Sequence, residues 1–146
     1  MTLREPSSFL CVDPGTKRTG LALGDRGSGI ATPLDVIRTA SLDERLRLIL
    51  LAVAREKPDA LIMGLPLHMD GRDSPAAAQS RLFAKQLKEK TQLRVFLVDE
   101  RTTSDEADEA MAQSGLTHAQ KKARRDALAA AAILRRFFDE GALEEA

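Results

Sequence analysis

The order in which short apolar runs and helical repeats alternate is what most constrains this chain. Residues 9–12 form an apolar run of strand length, closed at once by the turn Asp13-Pro14-Gly15. Residues 20–24 and 30–37 read as two further strands, separated by Gly27-Ser28-Gly29, so an antiparallel meander is expected. Ser41 is placed to cap a helix, with Glu44 three residues on completing a capping box. Leu42, Leu46, Ile49, Leu50 and Val53 then recur at helical spacing, and Pro58 closes the segment. Residues 60–64 form the next buried strand and run into a turn-rich loop over 65–71. A helix is expected over 74–91, with Ala78, Leu82, Ala84 and Leu87 on its packing side, followed by a last strand over 93–98. Two helices come next, one over 104–114 and one from a Thr117/Gln120 capping box to about Glu140, before Gly141 and an acidic tail. Alternating helix–strand units imply parallel pairing, so the expectation is an α/β fold. Its mixed five-stranded sheet, antiparallel first and parallel afterwards, is flanked by helices. At 146 residues a single domain over 8–140 is expected, with 1–7 and 141–146 as tails.

Three carboxylate positions stand out within that order. Asp13 directly follows the first strand, and Asp99 and Glu100 directly follow the last. Ligands of open α/β sheets bind outside the carboxyl ends of parallel strands, so Asp13 and one of the two later acids are expected at one edge. On spacing alone, Asp13 is equally what an Asp-Pro-Gly turn requires. Asp126 lies two turns into the final helix, with Ala129, Ala130 and Ile133 on its own face. A carboxylate on a small apolar face must be paired, protonated or metal-bound. Lys122 and Arg101 are the candidate ion-pair partners. Carboxylates without cysteine or histidine ligands suit hard cations, Mg²⁺ or Mn²⁺, and two such ions stabilise both oxygens of a phosphodiester displacement.

Charge and composition narrow the function further. There are 22 basic and 22 acidic residues, so the net charge is zero and a globally basic nucleic-acid binder is excluded. The charge is local: residues 117–138 hold Lys121, Lys122, Arg124, Arg125, Arg135 and Arg136 against Asp126 alone. Lys17 and Arg18 add charge at the first turn. Such a run is a solvated helix face unless carboxylates stand beside it, where it would hold a polyanion at the metals. Asp105, Glu106, Asp108 and Glu109 are available to pair with it instead. Aromatics make up 3% of the chain, with no Trp or Tyr, which argues against base stacking on an aromatic platform. Cys11 sits in an apolar run and reads as a small core residue. His68 and His118 fit neither a metal-ligand spacing nor a base–nucleophile pair. No apolar leader precedes Pro6, and the longest apolar runs are 7 and 8 residues, so a cytoplasmic location is expected.

Four stretches in register resemble the YqgF family, also called RuvX. They are Asp13-Pro14-Gly15-Thr16-Lys17-Arg18-Thr19-Gly20, Gly64-Leu65-Pro66-Leu67-His68-Met69-Asp70-Gly71, Asp99-Glu100-Arg101-Thr102-Thr103, and Asp126 with Ala129-Ala130. The resemblance spans roughly residues 8–138. It departs from the usual pattern at Thr19, Thr102 and Ser104, none of them acidic. It implies an RNase H-like fold with Asp13, Glu100 and Asp126 as catalytic, metal-ligating acids. RNase H relatives often carry an acid at the end of the fourth strand; here that strand ends Gly64-Leu65-Pro66, and Glu100 is expected to stand in. Lys17, Arg18, Arg101, Lys121, Lys122, Arg124 and Arg125 are the expected nucleic-acid contacts. The implied activity is metal-dependent phosphodiester hydrolysis, on precursor 16S ribosomal RNA or on branched DNA, by a monomer or homodimer. The Asp-Pro-Gly-Thr turn also resembles the first phosphate loop of actin-type ATPases, but those need two such domains. A binding module without catalysis is the remaining alternative; such a module would gain from losing acids near phosphate.

Overall fold

The computed structural model describes residues 5–101, 115 and 117–146. In chain order these form β1 (Ser8–Pro14), β2 (Arg18–Asp25), β3 (Ile30–Arg38), α1 (Leu42–Glu56), β4 (Ala60–Leu65), α2 (Pro75–Thr91), β5 (Val95–Asp99), α3 (His118–Glu140) and β6 (Glu144–Glu145). The strands lie in the order β3-β2-β1-β4-β5-β6. β1–β2 and β2–β3 pair antiparallel, β1–β4 and β4–β5 parallel, as the alternation of elements implies. The helix expected over 104–114, and the acids Asp105, Glu106, Asp108 and Glu109, lie outside the described residues.

The sheet has six strands where five were expected. Glu144 and Glu145 add a short antiparallel strand to the outer edge of β5. Arg94 pairs with Glu145 at 2.8 Å, Arg81 pairs with Glu144, and the Ala146 N–H donates to the Val95 carbonyl at 2.9 Å. The acidic tail is therefore docked on the sheet, because basic side chains of α2 and of the approach to β5 face it.

Strand periodicity divides the core in two. Leu10, Val12, Leu21, Leu61, Met63, Val95 and Leu97 face α1 and α2. Phe9, Cys11, Ala22, Ala60, Ile62 and Val98 face α3, where Ala130, Ala131, Ile133, Leu134 and Phe137 meet them. β1 and β4 are covered on both sides, which is why they read as unbroken apolar runs. Two helix readings need correction. The buried side of α2 is Ala77, Ser80, Phe83, Ala84 and Leu87, while Leu82 is 66% exposed and Ala78 is exposed too. On α1 the buried stripe is Arg45, Ile49 and Ala52, and Leu42 is outside it. Both helices cover only a strip of sheet, so apolar residues one position off the strip remain in solvent. The Thr117/Gln120 box of α3 is complete. At α1, Ser41 accepts from the Glu44 N–H, but the Glu44 carboxylate turns to Arg47. Among the described residues, no helix is long and apolar enough to cross a membrane.

Candidate active site

Successive residues of a strand face opposite sides of the sheet, and this rule places the acids. Asp13 follows Phe9 and Cys11 on the α3 side of β1. Glu100 follows Phe96 and Val98 on the α3 side of β5, and its N–H donates to the Leu65 carbonyl at 3.3 Å, extending the β4–β5 ladder by one residue. Asp99 has the opposite parity. It is held by a fork from Arg101, whose Nη2 lies 2.6 Å from Oδ2. Of the two acids after β5, Glu100 is thus the one that reaches Asp13, and their carboxyls share a hydrogen bond.

That pair is half-buried at the strand ends, and its electrostatics follow. Desolvation raises Asp13 to about 6, with the Asp126 charge adding to the rise and the hydrogen bond from Glu100 opposing it. Glu100 is raised to about 9, first by desolvation, then by the Asp13 charge and by the hydrogen bond it makes to Asp13. The two are coupled and titrate as one site, which keeps a proton above the usual carboxylate range. Desolvation and these two charges also raise the Cys11 thiol beneath them.

Two strand glycines make this geometry possible. A Cβ on Gly64 would lie 2.4 Å from Glu100 Oε2 and 2.8 Å from Ile133 Cδ1. A Cβ on Gly20, directly across from Asp13 in the β1–β2 register, would lie 1.9 Å from the Asp126 carbonyl oxygen. Glycine at these points lets α3 lie down on the sheet and the Glu100 carboxylate lie over β4. Sequence reading missed both roles, although an isolated glycine inside a strand is itself the signal of a close approach.

Asp126 reaches the same end of the sheet, and its partner corrects the expectation. Neither Lys122 nor Arg101 holds it: Arg18 of β2 does, with Nε 2.9 Å from Oδ2. Asp126 is close enough to raise Asp13, but Arg18 draws it aside, and among the described residues no three acids close into a ready-made metal cage. The expected basic contacts divide. Lys17 and Arg18 sit exposed at the β1–β2 turn, Lys122, Arg124 and Arg125 are exposed along the first turns of α3, and Lys121 is half-buried. Arg101 belongs elsewhere: besides Asp99 it donates from Nη1 to the Met69 carbonyl at 2.9 Å, latching the loop after β4 to the end of β5. His68, on that loop, and His118, at the start of α3, are both exposed. One contributor was not foreseen. Arg45 of α1 is buried and donates from Nη2 to the Thr16 carbonyl at 3.0 Å, tying down the turn that carries Lys17.

The chain is similar to known proteins over most of its length. The RuvX profile, described as Holliday junction resolvase, matches residues 7–140. A protein of Thiobacillus denitrificans named "Putative pre-16S rRNA nuclease" is 40% identical over 132 residues, covering 90% of this chain and 91% of its own length. One of the same name from Escherichia coli O7:K1 is 35% identical over 134 residues, covering 92% and 97%. Among solved structures, T. thermophilus RuvC in complex with a Holliday junction superposes with a TM-score of 0.54 at 17% identity, covering 92% of this chain and 95% of its own. The Fowlpox virus resolvase in complex with Holliday junction DNA gives 0.59 at 13%, covering 90% and 97%. The structural likenesses carry the fold, that of the RNase H-like resolvases. The profile, matching almost the whole length, and relatives at this identity carry the family: this chain belongs to the RuvX family.

Proposed function

We propose that the chain is a metal-dependent endonuclease that hydrolyses phosphodiester bonds and trims the 5′ end of precursor 16S ribosomal RNA in the cytoplasm. The observation that carries this reading is the half-buried, hydrogen-bonded Asp13–Glu100 carboxyl pair at the carboxyl ends of β1 and β5, with Asp126 near it. Two adjoining, partly desolvated acids form a site that a hard cation would stabilise, and all the donors are carboxylate oxygens. Asp13, Glu100 and Asp126 would hold Mg²⁺ or Mn²⁺. When bound, such ions supply an activated water and neutralise charge on the phosphorus oxygens.

The chain's own residues do the rest. Asp13, held by β1 between two strands, would be one of the ligands of such an ion. Arg18 and Asp126 neutralise each other in the free protein; Arg18 would turn to a phosphate of the substrate, leaving the Asp126 carboxylate to help hold a cation. Lys17, on the turn tied down by Arg45, steadies the scissile phosphate, and Lys121, Lys122, Arg124 and Arg125 hold the flanking backbone. The names of the sequence relatives favour ribosomal RNA as substrate. The description of the matching profile favours branched DNA, which is the second reading. A resolvase cuts two strands symmetrically, so that reading calls for a homodimer.

The test is cleavage of a 5′-extended ribosomal RNA precursor and of a four-way DNA junction by wild type, Asp13→Asn, Glu100→Gln and Asp126→Asn. Each amide keeps the size and removes ligand charge. A loss of about 10³-fold, equivalent to roughly 4 kcal/mol of transition-state stabilisation, is expected for each variant. Wild type that cuts neither substrate in Mg²⁺ or Mn²⁺ would overturn the nuclease reading. Equal cutting by Asp13→Asn would remove this site.

A further inference from the structure

Two buried polar atoms on the α1 side of the sheet have no part in the acid cluster. Among the described residues, the Thr19 hydroxyl and the Arg45 Nε–H are the buried side-chain groups without a hydrogen-bond partner. Thr19 is fully buried and Arg45 is 6% exposed. Gly20 meets α3, so Thr19, one residue before it on β2, faces α1 together with Leu21. Thr19 stands between Pro14 of β1 and Ile37 of β3 in the register. Arg45 reaches the same row from the beginning of α1. Its Nη2 donates to the Thr16 carbonyl at 3.0 Å, just before β2, and lies 3.5 Å from the Thr39 carbonyl, just past β3. The guanidinium thus bridges the ends of β2 and β3 beside Thr19.

The charge of Arg45 is uncompensated. The acids next to it in sequence are turned away: Glu44 pairs with Arg47, and Asp43 is exposed. Burial lowers the Arg45 pKa, and no carboxylate charge opposes that shift. The two carbonyls answer N–H groups but not the charge, and a buried cation without a counter-charge is costly. The positive end of the α1 dipole, one turn away, adds to the potential. A water would accept from both orphan donors and leave the charge standing. A phosphate carries more acceptor oxygens than two orphan donors can satisfy. A single-atom anion meets both the donors and the charge.

We infer that Arg45 and Thr19 form a binding site for one chloride-sized anion, on the α1 face of the sheet beneath the turn that carries Lys17 and Arg18. The occupant would tie α1 to β2 and to that turn. The inference does not depend on the nuclease reading.

In the test, chloride replaces gluconate at fixed pH and ionic strength, so that screening is constant, and unfolding is followed by circular dichroism. Wild-type Tm should climb by several degrees over about a hundredfold rise in chloride, by mass action on the folded state. Thr19→Val keeps the shape and removes the orphan hydroxyl. In gluconate it should be at least as stable as wild type, and it should lose most of the chloride response. Thr19→Ser should keep that response, and Arg45→Met should abolish it. A crystal soaked in bromide should show an anomalous peak between Arg45 and Thr19. Should Arg45→Met fail to fold, the two Thr19 variants decide. A chloride response equal in wild type and Thr19→Val would place the ions on surface cations and overturn the site. A wild-type Tm indifferent to chloride would leave an ordered water only, and overturn it too.

Discussion

The proton shared by Asp13 and Glu100 couples folding to pH. Both acids titrate above their ordinary values near 4, so the folded chain keeps protons that the unfolded chain releases. Stability rises with pH only where the unfolded state binds more protons, and here the folded state does. The pair's contribution is therefore fully present below about pH 4. It is lost as pH climbs through about 6 for Asp13 and towards about 9 for Glu100. In chelator, the double variant Asp13→Asn/Glu100→Gln should overtake wild type in Tm as pH goes from 5 to 9. Added Mg²⁺ or Mn²⁺ should restore the wild-type Tm at pH 8 and leave the variant unmoved, by mass action on the folded state. A Tm difference that is flat with pH would show that the pair does not share its burial cost in this way. Asp13 stood out as an acid at a strand end. Its raised pKa did not, because desolvation depends on what α3 lays over it.

The cluster of Asp13, Glu100 and Asp126 exists because α3 can approach β2 and β4 closely. Gly20 meets backbone of α3, and backbone cannot swing aside; Gly64 meets a side-chain carboxylate and the tip of Ile133, which can. Gly20→Ala should therefore destabilise more than Gly64→Ala, each by about 1–3 kcal/mol or somewhat above for the first. Gly64→Ala should in addition remove most cleavage while remaining folded, since it moves Glu100 itself. Urea unfolding of both variants, with cleavage rates alongside, checks the order; an active, fully stable Gly20→Ala would contradict the packing described. The elements themselves were largely legible. β1 and β4 showed as unbroken apolar runs, and the α3 cap as Thr117 with Gln120. The faces of α1 and α2 were less so: Leu42 and Leu82 match a helical period but fall beyond the strip of sheet each helix covers. The β6 strand was illegible, because two glutamates pair with β5 only through basic partners brought there by the fold.

At the scale of the molecule, a neutral protein can hold a polyanion only through a local field. α3 has no acid in its first turn, where the helix dipole favours one, and carries Lys121, Lys122, Arg124 and Arg125 soon after. Replacing Lys121 and Lys122 together by Ala should lower the salt dependence of RNA binding by about 0.7 for each phosphate no longer held, and leave Tm within a degree or two; an unchanged slope would return those lysines to solvent. All five phenylalanines are used in packing. Phe9, Phe96, Phe137 and Phe138 form one cluster, and Phe83 lies in the other core. A nucleic acid would thus have to be held by charge, as the scarcity of aromatics implies. The sequence by itself determined the order of β1 to β5 with α1, α2 and α3, the antiparallel-then-parallel pairing and the placing of acids at strand ends, because apolar periodicity and strand-end chemistry are local properties. Only the tertiary structure decided that Glu100 and not Asp99 meets Asp13, that Arg18 holds Asp126, and that Arg101 latches a loop. Each of those depends on strand parity and register between segments distant in the chain, which no local pattern encodes.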